Sequence, residues 1–210
     1  MTKVISFYSD VNEDKYYTKC ADRLREMSSR FSIDLYLEEK VSLGSYRNNC
    51  LSKPKFIKDK LEQFKQPIVW TDVDTVFRKY PQSFDEVPED VDVAFSSSAP
   101  NIAGMKASPL YFNYSSNAMV FLDEWINRSE QVLLEMDVNF DHEVLFGVVG
   151  SLMSSMKFGV FPPTYCVWPQ DVNEHTVIEM GMSDVPDKIE VLKQMGISGD
   201  LLAIQTVGIL

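Results

Sequence analysis

The stretch Pro67-Ile68-Val69-Trp70-Thr71-Asp72-Val73-Asp74 constrains this chain more than any other. An apolar run of strand character breaks off in two carboxylates that flank one valine. On a strand successive side chains alternate faces, so Asp72 and Asp74 are expected to point one way and Val73 the other, into the protein. Neighbouring carboxylates repel, and each is costly to desolvate unless something positive lies between them. A hard divalent cation, Mn²⁺ or Mg²⁺, suits such a pair, because it prefers oxygen ligands and keeps positions open for phosphate oxygens. In open α/β sheets ligands bind beyond the carboxyl ends of the strands, which is where these acids fall. The plain alternative is a solvated strand end. Asp90-Val91-Asp92 illustrates it: the same pattern precedes the run Val93-Ala94-Phe95, after the turn Pro88-Glu89, and reads as solvated acids opening a strand.

Around this stretch, strands and helices alternate. Residues 4–8 read as a buried strand, and a helix over 14–31 carries Tyr17, Ala21, Leu24, Met27 and Phe31 at spacings of three and four. A strand over 33–37 completes a βαβ unit and predicts a parallel sheet. Residues 42–51 read as a polar loop. Ser52 is expected to cap the next helix, which has Pro54 in its first turn and Phe56, Ile57, Leu61 and Phe64 on one face. Further strands are expected over 93–96, 117–122 and 157–160, with helices over 129–135 and from Asp141 to about 155. Residues 97–109, rich in small residues, proline and glycine, suggest a flexible loop over a site. Beyond Tyr165 the pattern loosens, leaving a helix over 186–195 and a short apolar segment at 201–205. The fold class expected is α/β, in one domain with a mostly parallel central sheet flanked by helices.

The totals limit the function classes. A chain of 210 residues is long enough for a full core, and a formal net charge of -11 argues against nucleic acid as partner. Any positive charge for a phosphorylated ligand must come from a metal or a local pocket. Cys20, Cys50 and Cys166 are too few and scattered for a disulfide framework or a zinc site, so reduced thiols in a cytoplasmic, soluble protein are expected. Met1-Thr2-Lys3 runs straight into a strand, and no signal peptide or membrane span is expected. The sequons at Asn113 and Asn127 are then coincidental. The ending Val207-Gly208-Ile209-Leu210 has no obvious cap, which suggests a domain of a longer polypeptide.

Four blocks carry a family resemblance. Pro67 to Phe77, followed by Tyr80-Pro81, resembles the strand, Asp-x-Asp (DXD), aromatic and proline signature of nucleotide-diphospho-sugar glycosyltransferases of the GT-A fold. Lys53-Pro54-Lys55-Phe56-Ile57 resembles their Lys-Pro helix opening. Asn117-Ala118-Met119-Val120-Phe121 is similar to the strand after their second loop, and Asp141-His142 to their later acidic pair. The likeness spans roughly residues 4–165 and is to members that form N-terminal domains of large chlorella-virus proteins. It implies a GT-A-like, Rossmann-like sheet, a UDP-sugar donor, Mn²⁺ or Mg²⁺, and transfer to a hydroxyl of a carbohydrate acceptor. For a viral protein the setting would be the host cytoplasm.

The resemblance also implies roles. Asp74 ligates the metal, and Asp72 contacts it through water or holds the ribose. Tyr8 stacks on the base, or is only a loop aromatic. Lys53 reaches the diphosphate, or is a solvated first-turn lysine. Asn117 faces the donor sugar or acceptor, or simply begins a strand. Asp141 is the candidate base for the acceptor hydroxyl, although aspartate is also a favoured helix N-cap; Asp123, Glu124 and Glu143 are the reserves. His175 is a candidate further metal ligand that falls early for that role. Two rival readings stand beside this one. Asp72-Val73-Asp74-Thr75-Val76 also fits the opening motif of haloacid-dehalogenase-like phosphatases, with Asp72 as nucleophile and Ser183-Asp184 near Asp187 as a late acidic motif. That motif usually ends a first strand, and here two strands precede it. A non-catalytic nucleotide-sugar-binding domain would keep the fold and lack the base.

Overall fold

The computed structural model describes residues 1–10, 15–97, 104–134 and 141–181. The expected helix over 186–195, the segment at 201–205 and the group Ser183, Asp184 and Asp187 lie outside the described residues.

Strand β1 (Lys3–Tyr8) is buried on both faces, in keeping with its largely apolar run. Helix α1 (Tyr16–Arg30) follows, with Cys20, Ala21, Leu24 and Ser28 turned inward. Its first turn is capped from a distance: the Asp10 carboxylate accepts from the backbone N–H of Tyr17 at 2.8 Å and of Thr18 at 3.3 Å. Strand β2 (Leu35–Glu39) starts two residues later than the sequence suggested. The N–H of Ile33 is used at the helix end, where it donates to Ser28 O at 2.8 Å.

Residues 42–51 are not all loop, because Tyr46–Leu51 forms a short helix, α2. Ser45 is extended and its Oγ accepts from Asn48 N at 3.1 Å, while Asn49 Oδ1 accepts from Leu43 N at 2.8 Å. The polar side chains that looked like loop chemistry are spent on the cap and its approach. Helix α3 (Lys53–Phe64) has Pro54 in its first turn as expected, but Ser52 does not cap it. Ser52 is itself helical, and its hydroxyl turns back to donate to Asn49 O at 2.8 Å.

After β3 (Ile68–Trp70) come the short β4 (Val76–Phe77) and β5 (Val93–Ser97). Two expectations fail next. Residues 105–109 are not loop but the start of β6 (Met105–Phe112), buried throughout and paired antiparallel with both β3 and β5. Residues 117–122 are not strand but the start of α4 (Ser116–Leu134), in which Ala118, Phe121, Leu122 and Trp125 recur at helical spacing and are buried. Helix α5 (Asp141–Leu152), β7 (Phe158–Val160) and β8 (Ile178–Glu179) complete the α-helices and strands among the described residues.

The main sheet has the order β2-β1-β3-β6-β5-β7, and β4 pairs with β8 in a second, two-stranded sheet. Only β6 runs against the others in the main sheet, so the expectation of a mostly parallel α/β sheet is met. Ile5, Trp70, Phe95 and Phe112 face α2 to α5 in one core; Val4, Val69, Ala94 and Tyr111 face α1 and the small sheet in another. No helix among the described residues is long and apolar enough to cross a membrane. The carboxyl ends of β1, β3 and β5 share one edge of the sheet. The last residues of β6 and the start of α4 lie at the opposite edge.

Candidate functional site

Asp72 and Asp74 lie at the carboxyl edge but not on a strand. Thr71 N still donates to Ile5 O at 3.1 Å, whereas Asp72 N is taken by Ser108 Oγ at 2.8 Å, so the backbone ladder stops there. Thr75 N then donates to Asp72 O at 3.1 Å, closing a turn over residues 72–75. The expectation of alternating side chains on a strand therefore gives way to turn geometry, although Val73 is buried as expected.

Three element ends meet around Asp72. Lys53 opens α3, Asp141 opens α5, and Asp72 follows β3. The Lys53 ammonium lies 2.9 Å from Asp72 Oδ1, donates to Asp141 Oδ2, and sits 5.3 Å from the centre of the Trp70 ring. Trp70 Nε1 donates to Asp72 Oδ1 at 3.2 Å. Lys53 is only 4% exposed, so it is neither a solvated first-turn lysine nor free to reach out. Burial works against its charge, but Asp141 and Asp72 outweigh burial and hold it protonated, above the ordinary lysine range.

Asp72 is pulled in opposite directions. Desolvation pushes its carboxyl up to about 6, Lys53 opposes that rise, and the charges of Asp74 and Asp141 add to it. Its side chain is 40% exposed, so solvent moderates the desolvation on the open side. Asp74 is buried; its carbonyl accepts from Arg23 Nη2 at 2.9 Å, and its carboxylate lies against the backbone of Gly181.

The other candidates divide by sheet edge. Tyr8 is at the carboxyl edge but buried in the second core. Its hydroxyl donates to Glu39 Oε2 at 3.2 Å, and the Arg25 guanidinium lies 5.6 Å over its ring. Asn117 is at the opposite edge, where its Nδ2 donates to Asp92 Oδ2 at 3.0 Å. The expectation that Asn117 begins a strand, and that Asp92 is solvated, is corrected here. Asp92 is buried and also accepts from Ser115 Oγ at 2.8 Å and Lys157 N at 3.1 Å. The reserves Asp123 and Glu124 sit on α4, ion-paired with Lys58 and Arg128 respectively; Glu143 is in the first turn of α5. His175 is 77% exposed beside Glu174.

Sequence reasoning singled out Lys53, Asp72, Asp74 and Asp141, and the fold gathers them at one sheet edge. It missed Trp70 Nε1, Ser108, Arg23 and Gly181. No sequence signal marks the last two, because what places them is register and helix packing.

The chemistry of the donor set fits a hard divalent cation. Among the described residues no group of three or more His, Cys, Asp or Glu is placed to hold a metal. Such a cation, if held by Asp72 and Asp74, would take carboxylate oxygens from them and fill its other positions with water and phosphate oxygens. Desolvation is the main cause of the raised Asp72 carboxyl, and the repulsion by Asp74 that adds to it is what a cation would relieve.

No protein-family model matches the chain, and no curated protein matches it. Solved structures do. A glycosyltransferase involved in the glycosylation of the major capsid of PBCV-1 is 14% identical with a TM-score of 0.65, over 92% of this chain and 100% of that one. Mouse xyloside xylosyltransferase 1, in its apo form, is 9% identical with a TM-score of 0.54, over 87% of this chain and 98% of that one. The apo form of the glycosyltransferase GlyE of Streptococcus pneumoniae TIGR4 is 9% identical with a TM-score of 0.54, over 99% of this chain and 64% of that one. At such identities the likeness is one of fold: this chain has a GT-A-like glycosyltransferase fold.

Proposed function

We propose, from a chain with this fold, a metal-dependent glycosyltransferase that moves a sugar from a UDP-sugar donor to a hydroxyl of a carbohydrate acceptor. The observation that carries the reading is the meeting of Lys53, Asp72 and Asp141 beside Asp74 at the carboxyl edge of the sheet. Asp72 and Asp74 are the residues that would hold Mn²⁺ or Mg²⁺. Such a cation, when bound, neutralises charge on the departing nucleoside diphosphate. Lys53 fixes the direction of the Asp72 and Asp141 carboxylates and adds positive charge next to the diphosphate position. In an inverting transfer Asp141 accepts the proton of the acceptor hydroxyl, with its carboxylate held in place by the ion pair with Lys53. Tyr8 enters this reading as part of the floor near the base. Asn117 has no place in it.

The phosphatase reading finds no comparable support, since Asp72 follows the third strand of the sheet and the fold neighbours are glycosyltransferases. Thermal shift separates the readings. UDP at about 100 times its Kd stabilises by roughly 2.7 kcal/mol, and at about 2–4 °C per kcal/mol for a chain of this size the Tm rises by roughly 5–10 °C. This rise should require Mn²⁺ or Mg²⁺, vanish in Asp74→Ala, and be accompanied by UDP release from one member of a UDP-sugar panel. A metal-independent shift, or none, would sink the transferase. A shift without turnover on any donor, with or without acceptors, would favour the binding domain. Hydrolysis of p-nitrophenyl phosphate that is lost in Asp72→Asn would favour the phosphatase.

A further inference from the structure

Gly181 faces the Asp74 carboxylate with no room for a side chain. Strands β4 and β8 pair antiparallel with Val76 opposite Glu179, and the same register carried two residues further puts Asp74 opposite Gly181. A Cβ built on Gly181 would fall 2.6 Å from Asp74 Oδ1 and closer still to Cγ and Oδ2. Gly44 is the glycine with a positive φ among the described residues, so the backbone of Gly181 is one that an alanine could adopt. The three atoms nearest to that position all belong to the Asp74 carboxyl group.

The backbone on both sides is held. Arg23 Nη2 donates to Asp74 O at 2.9 Å, and Met180 N donates to Val167 O at 2.9 Å. Glu179 is ion-paired with Arg78, whose N–H donates to Val177 O at 2.8 Å. A methyl group at position 181 would meet the far end of the Asp74 side chain, which shifts more cheaply than backbone.

We propose that Gly181 is a positioning residue that seats the Asp74 carboxylate, so that the segment just after β8 sets how this acid is presented to a divalent cation. The inference rests on the metal-binding reading above. It assigns Gly181 a role through Asp74, with no contact of its own to the ion.

The test is Mn²⁺ binding by the metal-free protein, read by the loss of the free-ion EPR signal, alongside the Tm without metal. Gly181→Ala should weaken Mn²⁺ binding by about tenfold or more, the scale seen when residues that orient a ligand are changed. Its Tm should stay near that of the unchanged protein, or, if lowered, be restored in Gly181→Ala/Asp74→Ala, where the crowded carboxylate is gone. Undiminished Mn²⁺ binding by Gly181→Ala would overturn the inference and leave the transferase reading standing. A Tm loss that Asp74→Ala does not restore would also overturn it, by showing that the segment itself needs the glycine. Failure of the unchanged protein to bind Mn²⁺ would overturn the metal-binding reading and this inference with it.

Discussion

Lys53 keeps its charge in a place where an ammonium is ordinarily hard to hold, and it does so because two carboxylates converge on it. Two carboxylates share one ammonium, so the three side chains act as a unit, and Lys53 still has Asp141 when the Asp72 charge is removed. Asp72 is the strained member. Desolvation above all pushes its folded carboxyl up to about 6 from an ordinary aspartate value of 3.8. A raised folded pKa means that the native state binds the proton more tightly than the unfolded chain does. The stability this contributes is complete below the ordinary value and is lost as pH rises through about 6. Metal-free Asp72→Asn is therefore expected to be more stable than the unchanged protein near neutral pH and above, with the difference fading in acid below the ordinary aspartate value. Solvent at the open side of Asp72 limits the size of this gain. Urea unfolding in EDTA on either side of the titration checks it; a difference independent of pH would show that the carboxylate is not destabilised.

Among the elements, α2 and α4 show how local chemistry and packing divide the decision. Helix α2 depends on its cap, since six residues are too few to be stable alone. Ser45→Ala should cost about 1 kcal/mol, seen as a Tm loss of roughly 2–4 °C. Ser52→Ala should cost less, because the Ser52 hydroxyl bonds back to Asn49 and does not cap α3. Equal losses in the two variants would contradict this assignment of the cap. Helix α4 is decided by packing. Residues 117–122 form an apolar run short enough to suit either a strand or a helix. The tie is broken where Phe121 meets Phe112 of β6 at 6.0 Å and Trp125 at 6.3 Å between ring centres, so that one face buries against the sheet.

Across the whole molecule, the sheet separates two cores, and the thiols report on one of them. Cys20 on α1 is buried in the second core, and Cys166 beside the small sheet is buried as well. Burial pushes the Cys166 thiol up to about 12 and raises Cys20 as well. Neither should react with Ellman's reagent in the native protein near pH 8, and both should react once the chain is unfolded. Rapid native labelling at either position would mean that α1 or the small sheet opens readily. The same arrangement explains why Asn117 fell outside the site. Strand β6 runs against its neighbours and ends at the far edge, so α4, and Asn117 with it, starts there.

The sequence by itself determined the α/β alternation, the end of β3 in paired acids, and the four charged residues Lys53, Asp72, Asp74 and Asp141, because hydrophobic period and local residue chemistry act over a few positions. Only the tertiary structure decided that Lys53 lies buried between Asp72 and Asp141, that Asp92 is a buried anchor at the opposite edge, and that Gly181 backs Asp74. Those outcomes depend on strand order and register, which join residues distant along the chain, and no short window of sequence contains them.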